Sequence, residues 1–172
     1  DLFCGGGGAG FGWEAADFDV VAGVDFNREA LDCFIANHPH AKPLLEDIAD
    51  IDRLYELLAV FGTVDLIHLS PPCQPFSPAG LRDPNDPRIG LMELALKLAV
   101  RLAPRAITLE NVPGVRTHDN GKLWRSCTAI LNEAGYVVLV ANVNAAHFVP
   151  QHRLRTYAVA TRKGDLPLDL GL

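Results

Sequence analysis

The residues best suited to chemistry are a cysteine set among prolines. Ser70-Pro71-Pro72-Cys73-Gln74-Pro75-Phe76-Ser77 follows Val64 to Leu69, a nearly all-apolar run that reads as a strand covered on both faces. A thiolate is both a strong nucleophile and a good leaving group. Prolines remove backbone freedom and fix where the thiol points. The carboxyl end of a strand is where open α/β sheets bind ligands. A structural cysteine, a small buried apolar side chain, needs no such framing. Cys33 and Cys127 fall on helical stripes, and Cys4 lies in a glycine-rich segment. No C-x-x-C pair is present, which argues against a zinc ribbon and a redox dithiol and makes a reducing compartment the default. Ser70 to Ile89 holds six prolines in twenty residues. An irregular stretch of that length is usually functional, and Pro75 to Ile89 could close over a site with Gly80 and Gly90 as hinges.

A second candidate opens the chain: Asp1-Leu2-Phe3-Cys4-Gly5-Gly6-Gly7-Gly8-Ala9-Gly10-Phe11-Gly12. Glycines between a strand and a helix let the backbone turn tightly and approach a ligand. Gly5 to Gly12 therefore reads as a ligand-binding loop. By itself it fits nicotinamide and flavin cofactors, nucleotides and S-adenosylmethionine equally. Asp25, twenty residues after Gly5, ends the next strand. An acid there can accept hydrogen bonds from ribose hydroxyls, or serve as a helix N-terminal carboxylate beside Asn27. Glu110 also ends a strand, and Arg153 and Arg155 alternate at a strand start and so share one face.

These groups need a scaffold, and the chain alternates strand-like and helical patterns. Val20 to Val24 reads as a strand. Asn27 to His38 reads as a helix on Ala30, Leu31, Phe34 and Ile35, stopped by Pro39. Gly90 to Leu102 is helical, with Leu91, Leu94, Ala95, Leu98 and Leu102 inward and Glu93, Lys97 and Arg101 outward. Ala106 to Leu109 is a strand. Leu123, Cys127, Ile130, Leu131 and Ala134 mark a helix that Gly135 ends, and Tyr136 to Asn144 and Thr156 to Thr161 are the last strands. This alternation predicts an α/β fold, a mostly parallel sheet with helices on both faces. The 172 residues, 49% hydrophobic and 21% charged, suit one self-sufficient domain. No apolar run approaches the roughly 18 residues of a membrane span. Asp1 already looks like the end of a strand, and Lys163 to Leu172 run out in a loop, so the chain reads as a piece of a longer protein.

Four segments together resemble the cytosine carbon-5 methyltransferases of the DNA type. Asp1 to Gly8 resembles the first motif of that family, Pro71-Pro72-Cys73-Gln74 its nucleophile motif, Glu110-Asn111-Val112 its Glu-Asn-Val motif, and Gln151-His152-Arg153-Leu154-Arg155 its Gln-x-Arg-x-Arg motif. The resemblance implies a Rossmann-like S-adenosylmethionine-dependent fold and methyl transfer to carbon 5 of cytosine. Cys73 would add to ring carbon 6 of a base flipped out of the duplex, making carbon 5 nucleophilic. Glu110 would bind ring nitrogen 3 and the exocyclic amine. Arg155 would support the base and the nucleophile loop, with Arg153 near the active-site backbone. The resemblance assigns cofactor contacts to Phe3 (on adenine), Gly5, Gly7, Asp25 (on ribose), Phe26, Asp47 (on the adenine amine), Ile48, Pro72 and Leu91 (at the methionine end). No metal is implied.

The chain also departs from that pattern. Phe148-Val149-Pro150 is one residue shorter than the family's segment, and Asp25 stands where the family often has Glu. The target-recognition region and two closing motifs do not occur in residues 1–172. With 15 basic against 21 acidic residues, net charge −6 and pI near 5.4, no strong phosphate-binding face is expected. Lys122, Arg125, Arg153, Arg155, Arg162 and Lys163 could form a local basic rim. Double-stranded DNA is the expected partner, through the missing region, for a monomeric cytoplasmic protein, nucleoid-associated in a bacterium or phage. The same chemistry on transfer RNA, or a non-catalytic cofactor-binding homologue, is the alternative. Ser77 leans toward the DNA branch. Restriction-modification, phage defence and host gene regulation are equally compatible with the sequence.

Overall fold

Leu2 is the joint of the sheet. In the computed structural model, which describes residues 1–76 and 86–162, Leu2 pairs in parallel with both Val24 and Leu69. On one side of it lie β1 (Ala22–Asp25) and β2 (Lys42–Leu45); on the other lie β3 (Leu66–Leu69), β4 (Ala106–Asn111) and then β6 (Leu154–Arg162) and β5 (Tyr136–Asn144). β1 with β2 and β3 with β4 are parallel pairs. β6 runs antiparallel to both its neighbours. The start of β6 therefore lies at the same edge of the sheet as the carboxyl ends of β1, β3 and β4, where Cys73, Glu110, Arg153 and Arg155 all emerge.

Strand side chains alternate between faces. Val24, Ile67, Leu69, Ile107, Leu109, Ala158 and Ala160 join one core cluster with Leu54, Leu96, Leu98, Cys127 and Leu131. That face carries α3 (Ile51–Ala59), α4 (Leu91–Leu102) and α5 (Lys122–Glu133), with α4 packed between the other two. The opposite face carries α1 (Gly8–Ala15) and α2 (Arg28–Asn37), where Leu31 and Phe34 pack with Cys4 and Ala41. Local signals start the helices. The Asn27 side chain accepts a hydrogen bond from the Ala30 amide, and that of Asp50 accepts one from the Arg53 amide, each satisfying an N-terminal donor. Gly135, at φ 84°, follows α5.

The α/β architecture with helices on both faces is the one the alternation predicts. Several details differ. The stretch read as a loop to Gly12 turns only through Gly5–Gly7, because α1 begins at Gly8. β2 carries no strong periodic run in sequence and is fixed by pairing with β1; α3, outside the reading above, carries a helical stripe of Ile51, Leu54, Tyr55 and Leu58 that packs on the core. Ile35 is 40% exposed and Cys33 is exposed, so the inner face of α2 is Leu31 and Phe34 alone. α4 is buried on Met92, Leu96 and Ala99 as well as Ala95 and Leu98, since neighbours flank it on both sides. Arg101 does not pair along its own helix. It bonds Asp52 at 2.6 Å and lies 3.8 Å from the centre of the Tyr55 ring, joining α4 to α3. The readings placed on Ser77, Gly80 and Lys163 fall outside the described residues. Gly90 has an ordinary right-handed helical conformation leading into α4. Among the described residues, no helix is long and apolar enough to cross a membrane.

The contact of α2 with β1 has no slack. A Cβ added at Gly23 would stand 2.4 Å from Cζ of Phe34, a fully buried ring. Gly23→Ala is expected to cost about 1–3 kcal/mol through overpacking. Thermal melting should fall by roughly 2–4 °C per kcal/mol; an unchanged melting temperature would contradict the packing described.

Candidate active site at the carboxyl ends of the strands

The loop after β3 is gripped on both sides of Cys73. Asn111, fully buried at the end of β4, donates from Nδ2 to the Pro71 carbonyl at 3.1 Å, and its Oδ1 accepts from the Val112 amide at 2.9 Å. Beyond the cysteine, the Phe76 amide donates to the Cys73 carbonyl at 3.0 Å, closing a tight turn. Phe76 is buried, its ring edge-on to His118 at 5.1 Å. A Cβ on Gly114 would meet the Phe76 carbonyl oxygen at 2.3 Å, so the turn after β4 presses directly on the cysteine loop. Cys73 itself is half-buried and packs against the main core.

Next to this loop, Glu110 is held by two arginines through one oxygen. Its Oε1 accepts a hydrogen bond from Arg153 Nη2 at 3.3 Å and is ion-paired with Arg155 Nε at 3.0 Å. The register of β4 with β6 sets this up, since Glu110 lies opposite Tyr157 and the two arginines precede Tyr157 on the same face. Oε2 has no hydrogen-bond partner among the described residues. Thus the carboxylate is fixed at one oxygen and available at the other.

The glycine turn is held as firmly. Asp25 Oδ2 accepts from the Gly5 amide at 2.9 Å, and Oδ1 accepts from the Asn27 amide at 2.9 Å. Asp25 is thus both a turn anchor and a helix N-terminal carboxylate. An ionised carboxylate has about four acceptor positions, so each oxygen can still accept once more. An open cleft of about 650 Å³ lies beside the turn, bounded by Phe3, Gly5, Gly8, Gly12, Trp13, His68, Ser70, Glu110, Arg153 and Tyr157. Built Cβ atoms on Gly5, Gly8 and Gly12 meet nothing within 4 Å. Side chains there would project into open space, so their absence leaves the backbone accessible to a ligand. Phe26, 72% exposed, and Asp47, whose Oδ1 accepts from the Ala49 amide, sit at the ends of β1 and β2. Ile48 is buried. Pro72 and Leu91 are half-buried, Leu91 at the first position of α4.

The structure gathers Glu110, Arg153, Phe3 and Gly5 around this one cleft. Cys73, Asp25, Phe26 and Asp47 stand on the neighbouring strand ends and do not line it. Three cleft residues, Trp13, His68 and Tyr157, escaped the sequence reading. Tyr157 continues the period-two row of Arg153 and Arg155, a signal that was present. His68, one polar residue inside an apolar strand, was another. Its Nδ1 lies 2.9 Å from Thr108 Oγ1, the residue opposite it in β4, and its ring is 5.9 Å from Trp13. Burial pulls the His68 pKa down to about 4, and burial, then Glu110, pushes the Tyr157 hydroxyl up. Burial also drives the thiols of Cys4 and Cys127 up to about 12, which makes both poor nucleophiles.

A sequence profile of the C-5 cytosine-specific DNA methylases matches residues 1–168. The chain belongs to this family. The Type II methyltransferase M.AgeI of Thalassovita gelatinovora is 33% identical over 169 residues, which cover 96% of this chain and 39% of that protein. M.HgiDI of Herpetosiphon aurantiacus is 35% identical over 171 residues, 96% of this chain and 52% of that protein. The chain thus spans about half or less of the relatives it matches. Among solved structures, a DNA modification methyltransferase encoded within an E. coli prophage superposes with a TM-score of 0.83 at 26% identity, over 97% of this chain and 48% of that one. The S. pombe Dnmt2 methyltransferase gives 0.77 at 27% identity, over 98% and 52%. The chain carries the family's fold, that of S-adenosylmethionine-dependent methyltransferases.

Two expectations follow from the geometry. Gly114→Ala forces Phe76 away and should slow alkylation of the Cys73 thiol at least threefold or hasten it by loosening the loop; a rate identical to wild type would show that the turn does not set the thiol. His68 resists protonation that the unfolded chain accepts near pH 6.5. Its contribution to stability is whole above that pH and is lost as pH falls toward 4. The melting temperature should therefore drop over that window, and less steeply in His68→Leu. Parallel curves would refute the assignment.

Proposed function

We propose that the protein transfers a methyl group to carbon 5 of cytosine in DNA, with Cys73 as covalent nucleophile. The observation that carries this reading is the site itself: a proline-framed cysteine loop tied by Asn111 to the strand end that presents Glu110 between Arg153 and Arg155. S-adenosylmethionine supplies an electrophilic methyl group when bound. Asp25, with a spare acceptor position on each oxygen, is assigned to the ribose. Asp47 is assigned to the adenine amine, Phe3 and the exposed ring of Phe26 to the adenine faces, Gly5, Gly7, Ile48 and Pro72 to the surrounding backbone and walls, and Leu91 to the methionine end.

In this reading the target base leaves the duplex, because ring carbon 6 cannot be attacked inside the stack. The Cys73 thiolate bonds to carbon 6, and electron density moves onto carbon 5 and ring nitrogen 3. Glu110, held at Oε1 and protonated at Oε2, donates a hydrogen bond to nitrogen 3, takes one from the exocyclic amine, and so offsets that charge. Arg155, the less exposed of the two arginines, fixes Glu110. After methylation a base, side chain or solvent, takes the carbon-5 proton, the freed electron pair re-forms the carbon 5–carbon 6 double bond, and the carbon 6–sulfur bond breaks to release the Cys73 thiolate. Residues 1–172 form the catalytic and cofactor-binding part of this enzyme, and duplex recognition belongs to a further region.

Bisulfite sequencing of DNA from cells expressing the full-length gene tests the proposal. Methylcytosine is expected at a recurring DNA site, and is expected to vanish with Cys73→Ser. Methylation confined to transfer RNA would replace the DNA substrate, and none in either nucleic acid would overturn the activity. Calorimetric titration should show S-adenosylmethionine binding more tightly than a nicotinamide dinucleotide; the reverse order would sink the cofactor assignment.

A further inference from the structure

Three side chains outside the glycine turn each hold one of its consecutive residues. Asp25 takes the Gly5 amide. Asn37, the last residue of α2, donates from Nδ2 to the Gly6 carbonyl at 2.7 Å. His38, the next residue, is buried and meets the Gly7 carbonyl through Nε2 at 2.9 Å. The ring also fills the space that side chains would need: Cβ atoms at Gly7 and Gly10 would stand 2.4 and 2.6 Å from it. Gly7 has φ 89°, a left-handed conformation that glycine tolerates best. The turn that faces the cleft is therefore set from behind by the end of α2.

The other ring nitrogen of His38 also meets an acceptor. Nδ1 lies 2.9 Å from Glu14 Oε1 on α1. A carbonyl oxygen can only accept, so Nε2 carries a hydrogen. An ionised carboxylate likewise only accepts, so Nδ1 carries one too. Both bonds together require the imidazolium. Its remaining surroundings suit a cation, with the rings of Phe11 and Phe34 at 5.0 and 4.9 Å. Among the described residues, Glu14 is the charged group bonded to the ring; the faces from α1, α2 and the turn are otherwise aromatic or glycine backbone. We propose that His38, held doubly protonated by Glu14, is a positioning residue that fixes the Gly5–Gly7 turn for S-adenosylmethionine and makes cofactor affinity depend on pH. This rests on the cofactor reading above. When the ring loses a proton, one nitrogen turns a lone pair toward an acceptor. The grip on Gly7 or on Glu14 is lost, and affinity falls as pH rises.

The test is calorimetric titration of the full-length protein with S-adenosylmethionine at about pH 6 and about pH 9, with melting curves to establish folding. Wild type should bind at least threefold more weakly at the higher pH. His38→Gln should bind about tenfold more weakly at the lower pH, ~1.4 kcal/mol, with the loss falling on KM for the cofactor rather than on kcat. Glu14→Gln changes a partly exposed side chain and lets the neutral ring keep both bonds, so its affinity should no longer vary with pH. Folded His38→Gln within twofold of wild type, or Glu14→Gln with the wild-type pH slope, would overturn the proposal. Nitrogen chemical shifts of His38 supply a readout that needs no cofactor: two protonated ring nitrogens at about pH 7.5 are expected, and a singly protonated ring contradicts the account. Wild type that fails to bind S-adenosylmethionine while showing the doubly protonated ring would instead overturn the cofactor reading, and the positioning role with it.

Discussion

The geometry of the candidate site depends on one buried amide. Asn111 sits where β4 ends, with no exposed surface, and its two polar atoms face in two directions. One ties the Pro71 carbonyl; the other accepts the amide of Val112, where the chain turns away. A buried polar group left without partners costs roughly 1–3 kcal/mol, so Asn111 holds both segments or destabilises both. Its neighbour Glu110 points to the opposite face. The residue that anchors the cysteine loop and the residue assigned to the base are thus successive positions of one strand, and their spacing is fixed by the pleat.

The remaining parts are placed by strand pairing. Leu2 pairs with Val24 and Leu69 and so carries the glycine turn between the strand ends that bear Asp25 and Cys73. The antiparallel register of β6 brings Arg153 and Arg155 to Glu110 from the far side. The two arginines are unequal. Arg153 has 49% of its side chain exposed, where an ion pair contributes ~0–1 kcal/mol. Arg155 has 18% exposed and a shorter contact, so it does more to orient the carboxylate. Net charge −6 weakens long-range attraction of residues 1–172 to a polyanion.

Much of this was legible in sequence because it rests on local rules. The alternation of strands and helices, the end of α2 before Pro39, and the shared face of Arg153 and Arg155 follow from periodicity and turn chemistry. The parts that were not legible depend on contacts distant in sequence. β2 has little pattern of its own and forms because β1 is there to pair with; α3 does carry a helical stripe, Ile51, Leu54, Tyr55 and Leu58. Gly8 to Gly12 looked like loop by composition, yet α1 begins at Gly8. Small residues at Gly7 and Gly10 are what let His38 approach from α2. The Asn37–His38 grip joins residues more than thirty positions apart, and neither residue type marks it in the sequence. His68 was visible as a polar residue in an apolar strand, but its Thr108 partner lies forty residues away.

The proposed chemistry rests on the Cys73 thiol. Full-length protein incubated with S-adenosylmethionine and duplex DNA containing 5-fluorocytosine should form a stable covalent adduct, because fluorine cannot leave carbon 5 as a proton does. Peptide mapping should place that adduct on Cys73, and Cys73→Ser should form none. An adduct on Cys4, Cys33 or Cys127, or an undiminished adduct in Cys73→Ser, would contradict it.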